Sequence, residues 1–149
     1  MKSTLLLSIH PRFADGIFTG VKRVELRRRL PRIGSQDTVV VYETVPTKAV
    51  VGLFVVEGVE RLPVKQLWRK VRDISGVTRT EFLDYFDGLT EGVAIFTGET
   101  ERFSRPLHLS ELKVLWPGFH PPQGFRYLDD EAFELLCSVS ESTPRRKAA

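Results

Sequence analysis

Apolar residues along this chain follow two different periods, and the switches between them mark its elements. Within Lys2 to Ile9, Leu5, Leu6 and Leu7 form a continuous run, the pattern of a strand buried on both faces or central in a barrel. Pro11 suits the first position of a helix, Phe13, Ala14, Ile17 and Phe18 follow at helical spacing, and Gly20 supplies a left-handed stop, so a helix of about ten residues is predicted. From Lys22 to Arg28 the period becomes two. Lys22, Val24, Leu26 and Arg28 share one strand face, and Arg23, Glu25 and Arg27 share the other. With Val24 and Leu26 in the core, Glu25 and Arg27 face solvent or, if a polar cleft opens in a barrel mouth, point into it.

Asp37 to Glu43 and Lys48 to Val59 are β-branched runs joined by Thr44 to Thr47, which predicts a hairpin or a strand-loop-strand with Pro46 as the breaker. Gly52 inside the second run suggests a bulge or a close backbone approach. Val64, Leu67, Trp68 and Val71 then return to helical spacing, which makes Trp68 a core residue. A second helix is expected over Thr80 to Phe86, stopped at Gly88. Gly92 to Thr97 and Phe103 to Leu109 have strand character, with Gly98 as a turn between them. Leu115 to Tyr127 holds three prolines and two glycines and predicts a stiff loop that covers a sheet edge or lines a groove. Asp129 or Asp130 caps a last helix through Val139 that buries Phe133, Leu136 and Cys137.

Short strands without regular β-α alternation indicate an α+β domain around a small mixed β-barrel with flanking helices, and disfavour a doubly wound sheet. One domain over residues 1–140 followed by a disordered basic tail, 141–149, is the expected organisation. A lone cysteine excludes an internal disulfide, and three scattered histidines give no metal-ligand spacing, so no metal and no cofactor are expected. No stretch is long and apolar enough for a membrane span, and a soluble, cytoplasmic protein is the expectation.

Charge changes the picture further. Residues 1–32 hold eight Lys/Arg against two acids, and residues 33–149 hold fourteen against seventeen, so the net +3 conceals a concentrated positive segment. Such a footprint attracts phosphate backbones. It is equally the mark of a solvated face, and charge alone does not choose.

The order SIHPRFADGIFTG followed by GVKRVELR resembles the ASCH domains of the PUA-like superfamily, whose Gly-x-Lys-x-x-Glu-x-Arg signature is matched by Gly20, Lys22, Glu25 and Arg27. YETVPTKAVVG, YFDGLTEGVAIF and PPQGFRYL extend the likeness over most of residues 4–128. The resemblance implies a pseudo-barrel with a cleft beside the signature that accommodates nucleic acid or a nucleobase. Members of the wider group are RNA-binding and base-reading modules, nucleoside amidohydrolases or ribonucleases.

A nucleic-acid cleft needs cations for phosphates, planar donors for base edges and aromatic faces for stacking. Candidate binding residues are Ser8, His10, Arg12, Lys22, Glu25, Arg27, Arg28, Arg29, Tyr42, Arg126 and Tyr127, with Phe119 as a further stacking face; Tyr42 also suits the core. Glu25, flanked by Lys22 and Arg27, is expected to have a lowered pKa and to orient those cations rather than act as a base. The first reading is therefore a module that binds RNA or single-stranded nucleic acid, or a nucleobase ligand, with no protein partner indicated. The alternative is a hydrolase of modified nucleosides or of RNA with Lys22 and Glu25 as catalytic groups. Acetylcytidine-hydrolysing relatives carry a threonine three residues after the signature lysine. Glu25 stands there in this chain, which removes that nucleophile but leaves a ribonuclease using Lys22, Glu25 and a tyrosine open.

Overall fold

The structure, a computed structural model, describes residues 2–29 and 31–142. Six strands, β1 (Thr4–Ile9), β2 (Val24–Arg27), β3 (Thr38–Glu43), β4 (Ala49–Pro63), β5 (Glu91–His108) and β6 (Phe125–Leu128), form one mixed sheet in the order β2-β5-β4-β3-β1-β6. Five helices flank it: α1 (Pro11–Thr19), α2 (Val64–Val71), α3 (Arg79–Tyr85), α4 (Leu109–Leu115) and α5 (Asp130–Val139). Only β1 and β3 pair in parallel. The α+β architecture has the expected flanking helices, and the sheet is not closed into a hydrogen-bonded barrel, since β2 and β6 remain its edges.

Local chemistry explains most elements. The α1 helix has proline at its start and Gly20 at φ 85° at its end, a conformation that glycine adopts without a Cβ penalty. A reciprocal capping box between Thr78 and Glu81 starts α3, and the Asp129 side chain accepts from the Ala132 amide to start α5.

Leu5, Leu7 and Ile9 pack on one face of the sheet with Ala14 and Ile17 of α1, while Leu6 packs on the other with Leu112, Phe133 and Leu136. Hence β1 is apolar without alternation: both of its faces are covered. A third cluster joins Val24 and Leu26 of β2 to Leu67 and Val71 of α2 and Phe82 and Phe86 of α3. That cluster brings α3 alongside β2.

Three sequence expectations change. Gly98 is not a turn, because Glu91–His108 is one strand whose register against β4 shifts at Val50/Gly52, Phe54/Val56 and Val56/Gly58. These shifts bend the paired strands where a turn was expected. A Cβ at Gly98 would lie 3.0 Å from the Val55 carbonyl, so glycine there serves backbone approach. Strand character ends at His108 and a helix follows, with Glu111 accepting from the His108 amide. The proline-rich segment is not loop throughout: its end forms β6, antiparallel to β1.

Of the expected tail, residues 143–149 lie outside the described residues; Glu141 accepts from the Ser104 hydroxyl, and the Ser142 hydroxyl bonds to Glu101. No helix among the described residues is long and apolar enough to cross a membrane.

Candidate nucleic-acid site

Because β2 pairs only with β5, no backbone ladder joins it to β1, and side chains fill the opening between them. A cavity of about 230 Å³ lies there. Ser8, Ile9 and His10 line it from the end of β1, and Phe13 from α1. Lys22, Glu25, Leu26 and Arg27 line it from β2 and its approach, and Val77, Glu81, Phe82 and Tyr85 from α3 and its leading loop.

Glu25 and Arg27, two residues apart on one strand face, enter this opening. The Arg27 guanidinium donates to Glu25 at 3.1 Å and to the Ser8 carbonyl at 3.4 Å, tying β2 to β1. Glu25 is only 5 % exposed, and burial holds its carboxyl above the ordinary carboxylate range against the opposing pull of Arg27 and Lys22. The expected lowering is thus reversed. Counting nearby charges omits the loss of water, which disfavours the ionised form more than the two cations favour it.

Lys22 is 3 % exposed. Its Nζ donates to the Ser75 carbonyl at 2.6 Å and lies 4.9 Å from the centre of the Phe13 ring. Burial lowers its pKa, with Glu25 opposing the shift. Its stem reaches this depth between two glycines: a Cβ at Gly16 would come within 3.1 Å of the Lys22 Cβ, and one at Gly76 within 3.3 Å.

At the rim, Arg12 grips Glu81 through two nitrogens, at 2.6 and 3.1 Å, and reaches the Gly76 carbonyl. The Arg12 bond, aided by the Thr78 amide, draws the Glu81 carboxyl down to about 2. His10 caps α1 by accepting from the Arg12 amide. Tyr85 donates its hydroxyl to the Leu26 carbonyl, and burial raises its pKa.

The structure therefore gathers Ser8, His10, Lys22, Glu25 and Arg27 around one cavity, with Arg12 at its edge. It does not bring in the other candidates. Arg28 donates to the Tyr85 and Asp87 carbonyls at the end of α3, and Arg29 is exposed beyond β2. Tyr42 is in the core beneath the opposite sheet face, and Phe119 is buried in the same cluster. Arg126 stacks over Phe119, and the Tyr127 hydroxyl accepts from the Arg32 amide on the β6 edge. Phe13, Val77, Glu81, Phe82 and Tyr85 escape sequence reasoning; the helical spacing of the α3 aromatics reports burial without saying what they cover. Among the described residues no group of three or more His, Cys, Asp or Glu side chains is placed to hold a metal ion.

This arrangement offers a buried lysine, a partly buried arginine, a buried carboxyl with a raised pKa, and apolar rings around a space below the roughly 300–1,000 Å³ of a drug-sized ligand pocket. Its scale suits one nucleobase. A Zymomonas mobilis protein named an ASCH domain-containing ribonuclease is 32 % identical over 135 residues, covering 91 % of this chain and 90 % of its own length. The crystal structure of ASCH from the same organism superposes with a TM-score of 0.86 at 30 % identity, covering 91 % of this chain and 94 % of that one. A Leishmania major protein, at 14 % identity and a TM-score of 0.59 over 95 % of this chain and 96 % of its own, shares the fold alone. Residues 7–103 match the ASCH domain, the stretch that supplies every wall of the cavity, and the chain belongs to the ASCH domain family.

Proposed function

We propose that this chain binds RNA, seats one nucleotide in the cavity between β1, β2 and α3, and cleaves the strand there. The observation that carries this reading is the convergence of buried Lys22 and Glu25 and partly buried Arg27 on one opening of nucleobase size. The ribonuclease that shares 32 % of its residues over nearly its whole length supports the same chemistry.

Cleavage needs stabilisation of charge on a phosphate and movement of a proton. Lys22 gives one hydrogen to Ser75 and retains two, and Arg27 retains donors beyond those used on Glu25 and Ser8, so both can bind non-bridging phosphate oxygens. Glu25, made a stronger base by burial, takes the proton of the ribose 2′-hydroxyl. The new bond joins the 2′-oxygen to phosphorus, the bond to the 5′-oxygen breaks, and the leaving oxygen takes a proton from water at the mouth. One domain over residues 1–140, acting in the cytoplasm, carries this function.

Fluorescence anisotropy with labelled single-stranded RNA at two salt concentrations, together with gel analysis of the products, tests it. Binding and cleavage are expected, both lost in Lys22→Ala with Arg27→Ala; a wild-type protein that does not bind at low salt refutes the reading. A nucleobase-sized cavity also suits an amidohydrolase of acylated nucleosides. Turnover of acetylcytidine without RNA cleavage would replace the ribonuclease assignment with that one.

A further inference from the structure

The cations nearest the cavity are engaged within the protein: Arg12 with Glu81, Arg27 with Glu25, and Arg28 with the carbonyls ending α3. Cations without an acid partner stand elsewhere. Residues 64–72 include Lys65, Arg69, Lys70 and Arg72 and no acid, although they lie in the part of the chain whose net charge is negative. Lys70 pairs with Glu60, whereas no ion pair joins Lys65, Arg69 or Arg72 to an acid among the described residues.

These three exposed residues are spaced i, i+4 and i+7, a stripe about 10 Å long on one flank of α2. The flank can be assigned. Trp68, between the stripe and the buried positions Leu67 and Val71, meets Phe82 of α3 with ring centres 5.0 Å apart, while Lys70 points the other way to β4. The stripe is therefore on the α3 side.

From Arg72 the chain passes directly into the cavity wall. The Ile74 carbonyl accepts from the Arg23 amide, Ser75 from Lys22, and Gly76 from Arg12. Exposed Arg23 and Arg79 flank this loop, and Asp73 is the one acid in residues 72–80. The opposite end of α3 presents exposed Asp84, Asp87 and Glu91 beside Arg28 and Arg29, a poorer exit for a polyanion.

We propose that the RNA strand seated in the cavity leaves across the loop formed by residues 73–77 and lays its phosphates along Lys65, Arg69 and Arg72. This rests on the RNA-binding reading and adds a path to it. Continuity with the cavity favours RNA over an acidic protein as the occupant.

The test compares wild type with the triple variant Lys65→Gln, Arg69→Gln, Arg72→Gln. Anisotropy of a labelled 12-nucleotide RNA is followed over a salt series, and a dinucleotide that reaches only the cavity is assayed for binding and cleavage. The variant should bind the 12-mer about tenfold or more weakly at low salt, with the slope of log affinity against log salt smaller by about two, as for three single-strand phosphate contacts. The dinucleotide should be unaffected. Unchanged 12-mer affinity and slope overturn the path while leaving the cavity reading intact, and equal losses for both probes also overturn it. Loss of poly-glutamate binding with RNA binding unchanged reassigns the face to a protein partner. A wild-type protein that binds neither RNA refutes both proposals.

Discussion

Arg27 donates to Glu25 at 3.1 Å on one face of β2, and yet the Glu25 carboxyl has its pKa raised. A surface carboxylate held this way would ionise more easily, as Glu81 does in the grip of Arg12. Burial reverses the sign, since an ion removed from water loses more than one partner in imperfect geometry returns. One arginine-carboxylate contact can therefore fix a strand edge and still leave a carboxyl able to take up a proton.

The first prediction concerns pH. The folded pKa of Glu25 lies above its unfolded value, so the folded state keeps a proton that the unfolded state has lost. The contribution to stability is present below the ordinary carboxylate pKa and is lost as pH rises through the folded value. Melting temperatures measured over this window should fall more for wild type than for Glu25→Gln; parallel curves would contradict the buried ionisable carboxyl. The rising limb of cleavage against pH should lie above the ordinary carboxylate range and vanish in the variant.

Lys22→Met separates function from folding. Methionine fills the channel of the lysine stem and ends the burial of a charge, but it leaves the Ser75 carbonyl without its donor. These effects oppose each other, and the net change should be within about 1 kcal/mol by urea unfolding, since an unmade hydrogen bond alone costs about 1–3 kcal/mol. RNA binding and cleavage should fall at least tenfold. Full activity in this variant would remove Lys22 from the site.

Gly16→Ala tests the channel itself. Alanine within a helix normally stabilises by about 0.5–1 kcal/mol relative to glycine. Here the added methyl group would stand 3.1 Å from the Lys22 Cβ and push the stem. Activity should fall several-fold without loss of melting temperature. An unimpaired variant would show that Lys22 position is not limiting.

Gly52→Ala should act on folding alone. Its Cβ would fall 2.6 Å from the Phe18 ring and meet the Glu101 backbone carbonyl, at a register shift where β4 and β5 approach closely. The ring can move more readily than the backbone, so a loss of about 2–3 kcal/mol is expected, at the upper part of the overpacking range. Urea denaturation measures it; a change below about 0.5 kcal/mol would mean that the strands separate easily.

The sequence by itself determined much of the local structure and the residues on one side of the site. Continuous apolar positions in β1, the Pro11 to Gly20 frame of α1, the two-residue period of β2 and the helical spacing of α2 are short-range signals, and each reports burial of a given face. The signature residues Lys22, Glu25 and Arg27 share one short segment, so they could be selected together. Gly98 misled because a chain kink and a close strand approach both favour glycine, and β6 was hidden by its brevity beside prolines. Only the tertiary structure decided what each face meets. It set α3 opposite β2 to complete the cavity, placed Tyr42 in the core, and bound Arg12 to Glu81 across 69 residues of chain. It also raised the Glu25 pKa and left Lys65, Arg69 and Arg72 without an acid partner among the described residues. Desolvation and ion pairing depend on every group that surrounds a charge in space, and sequence spacing carries no record of neighbours from distant segments.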